Sequence, residues 1–296
     1  MDVNWIQLIV NGFQSGAIYT LVALGLTLIF SIMYVVNFAH GEMYMLGGFA
    51  GYFIFYQFFI NKLGLPLTLG YIICFIIVAI ILGLFGFLLE KAIFRPFRGD
   101  LLGGLLISVG LGEILMMGAA LCFGPETKGV PPAFAGKVSV LSASLSNQRL
   151  AVIFGGGLVM LGLYLFLVRT KAGLAMRAIA QDKEAAESLG INYGFTSSLG
   201  FAIGCALAGV AGLLVVPATY IDPFVGSGYL MKAFIIIIIG GMGSLTGCIL
   251  GGFMVGFIES FSSFFINIQT GTIILFVLVI IFLVLRPRGL FGRAEV

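Results

Sequence analysis

Charged side chains are scarce in this sequence. Its 296 residues include 15 Lys+Arg and 12 Asp+Glu, 9 % in all, against roughly 25 % in a soluble domain, which excludes a water-soluble globular fold. One histidine and four cysteines leave little material for metal or redox chemistry. Cys74, Cys122, Cys205 and Cys248 lie tens of residues apart in apolar runs with no Cys-x-x-Cys, and they read as small packing residues. Also missing are Gly-x-x-x-x-Gly-Lys-Ser/Thr, Gly-x-Ser-x-Gly, His-Glu-x-x-His and any close pairing of a nucleophile with histidine. The chain therefore has no device of its own for holding nucleotide, no expected cofactor or metal, and nothing for an enzyme reading to rest on. Its net charge of +3 is thinly spread, without the basic stripe that tracks a phosphate backbone, so nucleic acid is no partner.

What is present is apolar. Sixty per cent hydrophobic residues, 29 of them Phe, make more apolar surface than one core of this length can hide, and the remainder must face lipid. A membrane-crossing helix needs about 20 mostly apolar residues. Stretches 3–39, 43–61, 63–89, 151–168, 188–221, 233–258 and 260–285 contain no Asp, Glu, Lys or Arg, and 101–123 contains only Glu113. Spans are expected near 6–32, 40–60, 67–89, 102–123, 150–168 and 195–216, with a C-terminal group within 231–285. That is an all-α polytopic membrane protein of eight or nine transmembrane helices, a single transmembrane domain over 1–296. Asp2 is the sole charge before His40, so the beginning reads as a first span rather than a cleavable leader.

Lys and Arg in short loops set the orientation, because cytoplasmic loops carry their excess. Lys91, Arg95 and Arg98 mark one such loop, Arg169, Lys171, Arg177 and Lys183 a second, and Arg286, Arg288 and Arg293 a third. The polar, proline-containing connection at 124–149 then lies outside. The N-terminus is expected outside and the C-terminus in the cytoplasm, which requires an odd number of crossings. Nine results if 231–266 breaks at Gly240-Gly241-Met242-Gly243-Ser244; eight requires the charge rule to bend.

The 43 glycines have helix-packing spacing. Gly200, Gly204, Ala208 and Gly212 form a ridge every four residues, and Gly47/Gly51, Gly247/Gly251 and Gly252/Gly256 repeat the interval, which lets backbones approach closely. A close-packed bundle is the leading reading, and the sharper alternative is that some ridges line a path or a moving interface.

Acids inside a bilayer are costly and need a partner, water or a function. Glu113, Glu259 and Glu42 qualify. Glu113 either ties two helices together or lies on a translocation path. The cluster Asn37-Phe38-Ala39-His40-Gly41-Glu42 reads either as a polar turn at the cytoplasmic boundary or as a pore-side element. A single histidine without a second ligand nearby is weak support for a metal site or proton relay.

Residues 172–190 differ from their surroundings. They are rich in strong helix formers, have Lys183 and Glu187 one turn apart, and end at Gly190. A short cytoplasmic helix is expected. Leu174, Ala178, Ala185 and Leu189 are too few and small to anchor it in lipid, which leaves a solvated connector or a docking element for another protein.

Taken in order, these segments resemble one family over nearly the whole chain. The resemblance rests on Asn11-Gly12 and Gly16 ahead of Tyr19, on Asn37 to Glu42, and on Glu90 followed by Phe94-Arg95-Pro96. It continues through Ile107-Ser108-Val109-Gly110, Glu184-Ala185-Ala186 with Gly190-Ile191-Asn192, Ala208-Gly209-Val210-Ala211-Gly212 and Met231-Lys232-Ala233-Phe234. Gly240-Gly241-Met242-Gly243-Ser244 and Arg286-Pro287-Arg288-Gly289-Leu290-Phe291-Gly292 complete it. The chain is similar to the membrane permease subunits of bacterial high-affinity branched-chain amino acid importers of the ATP-binding-cassette type, the LivH/LivM family, and most to the LivH type.

That resemblance implies a multi-pass protein of the bacterial inner membrane. It would work with a second related permease as a heterodimer, two cytoplasmic ATP-binding subunits that hold ATP and Mg, and a periplasmic or extracellular amino acid-binding protein. Glu184, Ala185, Ala186 and Gly190 match the loop by which such permeases engage their ATPases, although the Ile-x-Leu-Pro stretch of the wider importer pattern is absent after the glycine. Asn37, His40, Glu42 and Glu113 become candidates for the path or gate, and Gly240, Gly241 and Gly243 for a flexible element. The implied cargo is leucine, isoleucine and valine; relatives serve urea and short-chain amides. A proton-coupled secondary transporter using Glu113 and Glu259, or an ungated channel, are the rival classes, and the 172–190 segment speaks against both.

Overall fold

The computed structural model describes residues 5–140, 143–266, 268–286 and 289–291. Its helices are α1 (Trp5–Met33), α2 (His40–Ala50) continuing into a π-helical stretch (Gly51–Lys62), α3 (Leu67–Leu89), α4 (Leu101–Phe123), α5 (Asn147–Arg169), α6 (Lys171–Ile179), α7 (Lys183–Ser188), α8 (Tyr193–Val215), α9 (Val225–Gly240), α10 (Leu245–Phe265) and α11 (Ile268–Leu285). Seven segments are long and apolar enough to cross a membrane: α1, α2 with its π continuation, α3, α4, α5, α8 and α10. Shorter apolar helices occur at Val225–Gly240 and Gly271–Phe282. This is an all-α polytopic membrane protein, and the expected break at 240–244 is present. The tail residues Arg288 and Arg293 used for the charge rule, and Asp2, lie outside the described residues, as do Pro287, Arg288 and Gly292 of the tail motif.

The helix boundaries follow from local chemistry. Asp100 Oδ1 accepts from Gly103 N at 3.0 Å, Asn192 Oδ1 from Phe195 N at 2.9 Å and Ser244 Oγ from Gly247 N at 3.1 Å, each satisfying a donor that a helix start leaves free. The segment expected as one helix at 172–190 is instead two, α6 and α7. Asp182 is extended, with φ −155° and ψ 110°, and its carboxylate takes the Ala185 amide, so the side chain starts a new helix where the old one would have continued. The 124–149 connection also contains a small hairpin, unexpected from the sequence: β1 (Lys137–Val140) pairs antiparallel with β2 (Ala143–Ser146), with Lys137 opposite Ser146.

Helices α1 and α8 form the centre. They pack on each other, α1 also on α9 and α10, α8 also on α2 and α3, and both are buried almost throughout. By contrast α3, α4 and α5 face outward with bare apolar side chains such as Leu121 and Phe154, 87 % and 74 % exposed, as helices on the outside of a membrane bundle should. The glycine ridges are contact surfaces. A Cβ on Gly204 would lie 2.8 Å from Gly25 O, one on Gly212 2.9 Å from Gly48 N, and one on Gly256 2.6 Å from Gly16 Cα. Backbone lies against backbone at these places, which only glycine permits. Cys74, Cys205 and Cys248 are buried, as expected of packing residues; Cys122 is exposed, and all four are free thiols.

Candidate translocation site and coupling segment

Between α1 and α2 the chain leaves helical geometry at Tyr34, which has φ +54°, and runs back into the bundle. His40 Nε2 lies 3.0 Å from Val22 O. Val22 is eleven residues before the end of α1, a depth of roughly 16 Å at 1.5 Å per residue. The Asn37–Glu42 cluster is therefore inside the helix pack and not a turn at its edge. Non-helical backbone at such depth must be covered and hydrogen-bonded, and here specific side chains do it. Ser108 Oγ of α4 accepts from Phe38 N at 3.0 Å and lies 3.3 Å from Val36 O, while Asn37 Oδ1 accepts from Ala39 N at 3.0 Å. Asn37, His40 and Ser108 are fully buried or nearly so. Asn37 is thus a backbone organiser, and Ser108, which the sequence offered only as part of a motif, holds the neighbouring backbone of Val36 and Phe38 from α4.

Glu42 points from the first turn of α2 toward the start of α9, where a Cβ on Gly226 would fall 2.7 Å from Glu42 Oε1. The starts of α2 and α9 thus lie side by side, their first amides turned to nearby acceptors: Glu42 N to Ala39 O at 3.2 Å and Phe224 N to Asp222 Oδ1 at 2.8 Å. Glu42 Oε2 and His40 Nδ1 have no hydrogen-bond partner among the described residues. Glu113 on α4 is exposed and within electrostatic reach of Glu42. The structure thus brings Asn37, His40, Glu42 and Glu113 into one neighbourhood, with His40 turned to α1, Glu42 to α9 and Glu113 to the outer surface of the bundle.

A second polar cluster was missed. Lys232 Nζ of α9 donates to Tyr19 Oη and Glu259 Oε1, both at 2.7 Å, and lies 4.5 Å from the Tyr19 ring centroid. Tyr229 stacks on Tyr44 with centroids 3.9 Å apart. Sequence reasoning singled out Glu259 without its partner. The available signal was that Lys232 is the only basic residue between Lys183 and Arg286, and a lone lysine among apolar helices needs a carboxylate.

At the C-terminal end of α9 the two other singled-out segments meet. A cavity of about 870 Å³ separates α6 from the α9–α10 turn, lined among others by Ser31, Tyr34, Arg177, Gln181, Met242 and Ser244. Gly241 and Gly243 have φ +96° and +85°, the left-handed conformation a tight helix–helix turn requires. The tail closes on it: Leu290 N donates to Ile239 O at 2.8 Å and Phe291 N to Gly240 O at 3.1 Å. In α7, Gly190 (φ +83°) donates its N–H to Glu187 O at 2.9 Å and Ile191 N to Ala186 O at 3.1 Å, the two bonds of a Schellman stop. Glu184, Ala185 and Gly190 face outward, whereas Ala186 is buried and anchors the helix. Leu174 and Leu189 are 59 % and 83 % exposed, bare apolar side chains on an otherwise polar segment.

The family described as branched-chain amino acid transport system / permease component matches residues 8–285. This chain belongs to that family. The permease is 33 % identical to the high-affinity branched-chain amino acid transport system permease protein BraD of Pseudomonas aeruginosa, over 99 % of this chain and 97 % of the relative. It is 32 % identical to LivH of Escherichia coli, a protein of the same description, over the same shares. It is 27 % identical to a probable branched-chain amino acid transport permease protein of Methanocaldococcus jannaschii, over 92 % of this chain and 88 % of the relative. No solved structure matches the permease. The resemblance stated from the motifs is thereby confirmed at the level of the family.

Proposed function

We propose that this permease is the transmembrane subunit of an ATP-binding-cassette importer that carries leucine, isoleucine and valine across the bacterial inner membrane. Two cytoplasmic ATPase subunits holding ATP and Mg drive it, a second related permease completes the conduit, and a periplasmic or extracellular binding protein delivers the amino acid. The observation that carries the reading, beyond kinship with BraD and LivH, is the α6–α7 segment. It stands on the bundle's end with Leu174, Glu184 and Leu189 bare, which suits a docking partner better than solvent.

Nine crossings, N-terminus outside, are supported by which loops touch. Lys128 of the 124–149 connection pairs with Ile221 ahead of α9, while α6, the 241–244 turn and residues 290–291 gather at the other end. In this arrangement α6–α7 is cytoplasmic and the 124–149 connection external. Transport proceeds by alternating access: closure of the ATPase pair moves α6–α7, and the helices pivot at the Gly240, Gly241 and Gly243 turn. Asn37, His40, Glu42 and Glu113 lie beside the path, with Glu113 on its rim and Glu42 behind. The Glu42 and Glu113 carboxylates attract the substrate's ammonium group. Pairing of Glu259 with Lys232 takes one of the two carriers away from a proton-coupled mechanism.

Capture of the ATPase tests the assignment. Detergent-solubilised permease should retain its cytoplasmic ATPase, and Glu184→Arg or Gly190→Val should release it while both variants still insert. Equal capture by both variants contradicts docking at α7.

A further inference from the structure

Charged groups in the connection after α3 and polar groups at the start of α8 form a cluster that the function above does not use. Glu90, the residue after α3, is completely buried. Its Oε1 accepts from Arg98 Nε at 2.7 Å and also meets Arg98 Nη2, and its Oε2 meets the Ser198 hydroxyl of α8. Arg98 Nη2 further donates to Gly194 O at 3.1 Å. A buried carboxylate is costly unless its oxygens are satisfied, and here a planar guanidinium fork and a hydroxyl do so. This knot fastens α3 to the first turn of α8.

Its outer edge reaches the docking segment. The Arg98 guanidinium carbon lies 5.2 Å from the centroid of the Tyr193 ring, and Lys183 Nζ, on the first residue of α7, lies 4.2 Å from the same centroid. Two cations beside one ring would repel each other were Arg98 not neutralised by Glu90, so the ion pair is what lets Tyr193 hold Lys183. Two residues beyond Arg98, Asp100 caps α4, and between them Gly99 turns the chain at φ +84°. The rigid helix α4 carries Glu113 twelve residues from its start, roughly 18 Å away.

We propose that Tyr193, joined to Lys183 on one side and to the Arg98–Glu90–Ser198 knot on the other, is the link by which displacement of α7 positions α4 and so Glu113. The proposal rests on α6–α7 being the ATPase dock and adds the route from dock to path. Tyr193, Arg98 and Glu90 are positioning residues in it; none touches substrate. Two discrete arrangements of such a linked chain of contacts are what coupling between distant sites requires.

The test uses the assembled importer in proteoliposomes with its binding protein, and reads three quantities: ATPase retained, ATP hydrolysed, and amino acid taken up per ATP. Tyr193→Phe keeps the ring face and should leave all three unchanged. Tyr193→Leu should retain the ATPase but lower uptake per ATP at least about fivefold, the low end for a coupling free energy between two sites. Arg98→Lys keeps the charge but not the fork, and should lower the same ratio. It is also the second reading if Tyr193→Leu does not accumulate. Uptake per ATP at the original level in both Tyr193→Leu and Arg98→Lys overturns the link, as does uptake that falls only in step with ATPase retained. Failure of the unaltered permease to retain any ATPase would instead strike at the docking assignment.

Discussion

Lys232 of α9 and Glu259 of α10 meet at 2.7 Å inside the helix bundle, with 20 % and 18 % of their side chains exposed. The contact holds the middle of α9 against α10, while the Gly240–Gly247 approach holds the C-terminal end of α9. Breaking one partner leaves the other charge without compensation. Lys232→Met is expected to destabilise the purified permease by about 2–3 kcal/mol, somewhat under the 3–5 of a fully buried pair. Lys232→Met combined with Glu259→Gln should recover most of that loss. Thermal unfolding in detergent of the two single variants and the double variant checks the cycle.

Glycines within the helices include some with opposite predicted responses. A Cβ on Gly47 would run into the backbone of Gly209, whereas one on Gly157 or Gly162 meets nothing within 4 Å. Gly47→Ala should cost about 1–3 kcal/mol by overpacking, while Gly162→Ala should be neutral or stabilise by up to about 1 kcal/mol through helix propensity. The same unfolding assay separates the two, and equal behaviour would contradict the packing described.

Glu113 is predicted to be reachable from the aqueous path. In a background with Cys122 replaced, Glu113→Cys should react with a membrane-impermeant thiol reagent faster than Ile80→Cys, on the lipid-facing side of α3. Glu113→Gln should lower uptake about tenfold or more, in line with about 1.5–3 kcal/mol for a hydrogen bond to a charged group, without loss of ATPase capture. Unchanged uptake would remove Glu113 from the path.

The spans were legible because the hydrocarbon core imposes a length, and charge-free stretches measure it. The break at 240–244 was legible from glycine density, and the end of α7 from Gly190, whose left-handed φ no other residue adopts as easily. Other features were not. The re-entry of residues 34–42 depends on Ser108, seventy residues away from Phe38 in the chain, and no local pattern reports it. The split of 172–190 turns on one Asp182 side chain competing with the helix for the Ala185 amide. Lys232 found Tyr19 and Glu259, and Glu90 found Ser198, only through the tertiary arrangement, although a lone basic residue or acid at the edge of an apolar run is the trace such pairs leave in a sequence. Likewise Ala186 reads like its neighbours Glu184 and Ala185 in sequence but points inward, because a helix of six residues has room for one anchoring face.

The proposed drive for this permease is ATP hydrolysed by separate subunits. Leucine uptake into proteoliposomes measures it most directly. Concentrative uptake should require the companion permease, the ATPase pair with ATP inside, and the loaded binding protein outside; omitting any of them should abolish it, and a proton gradient should not substitute. Uphill accumulation of leucine by vesicles holding this permease by itself would contradict the account.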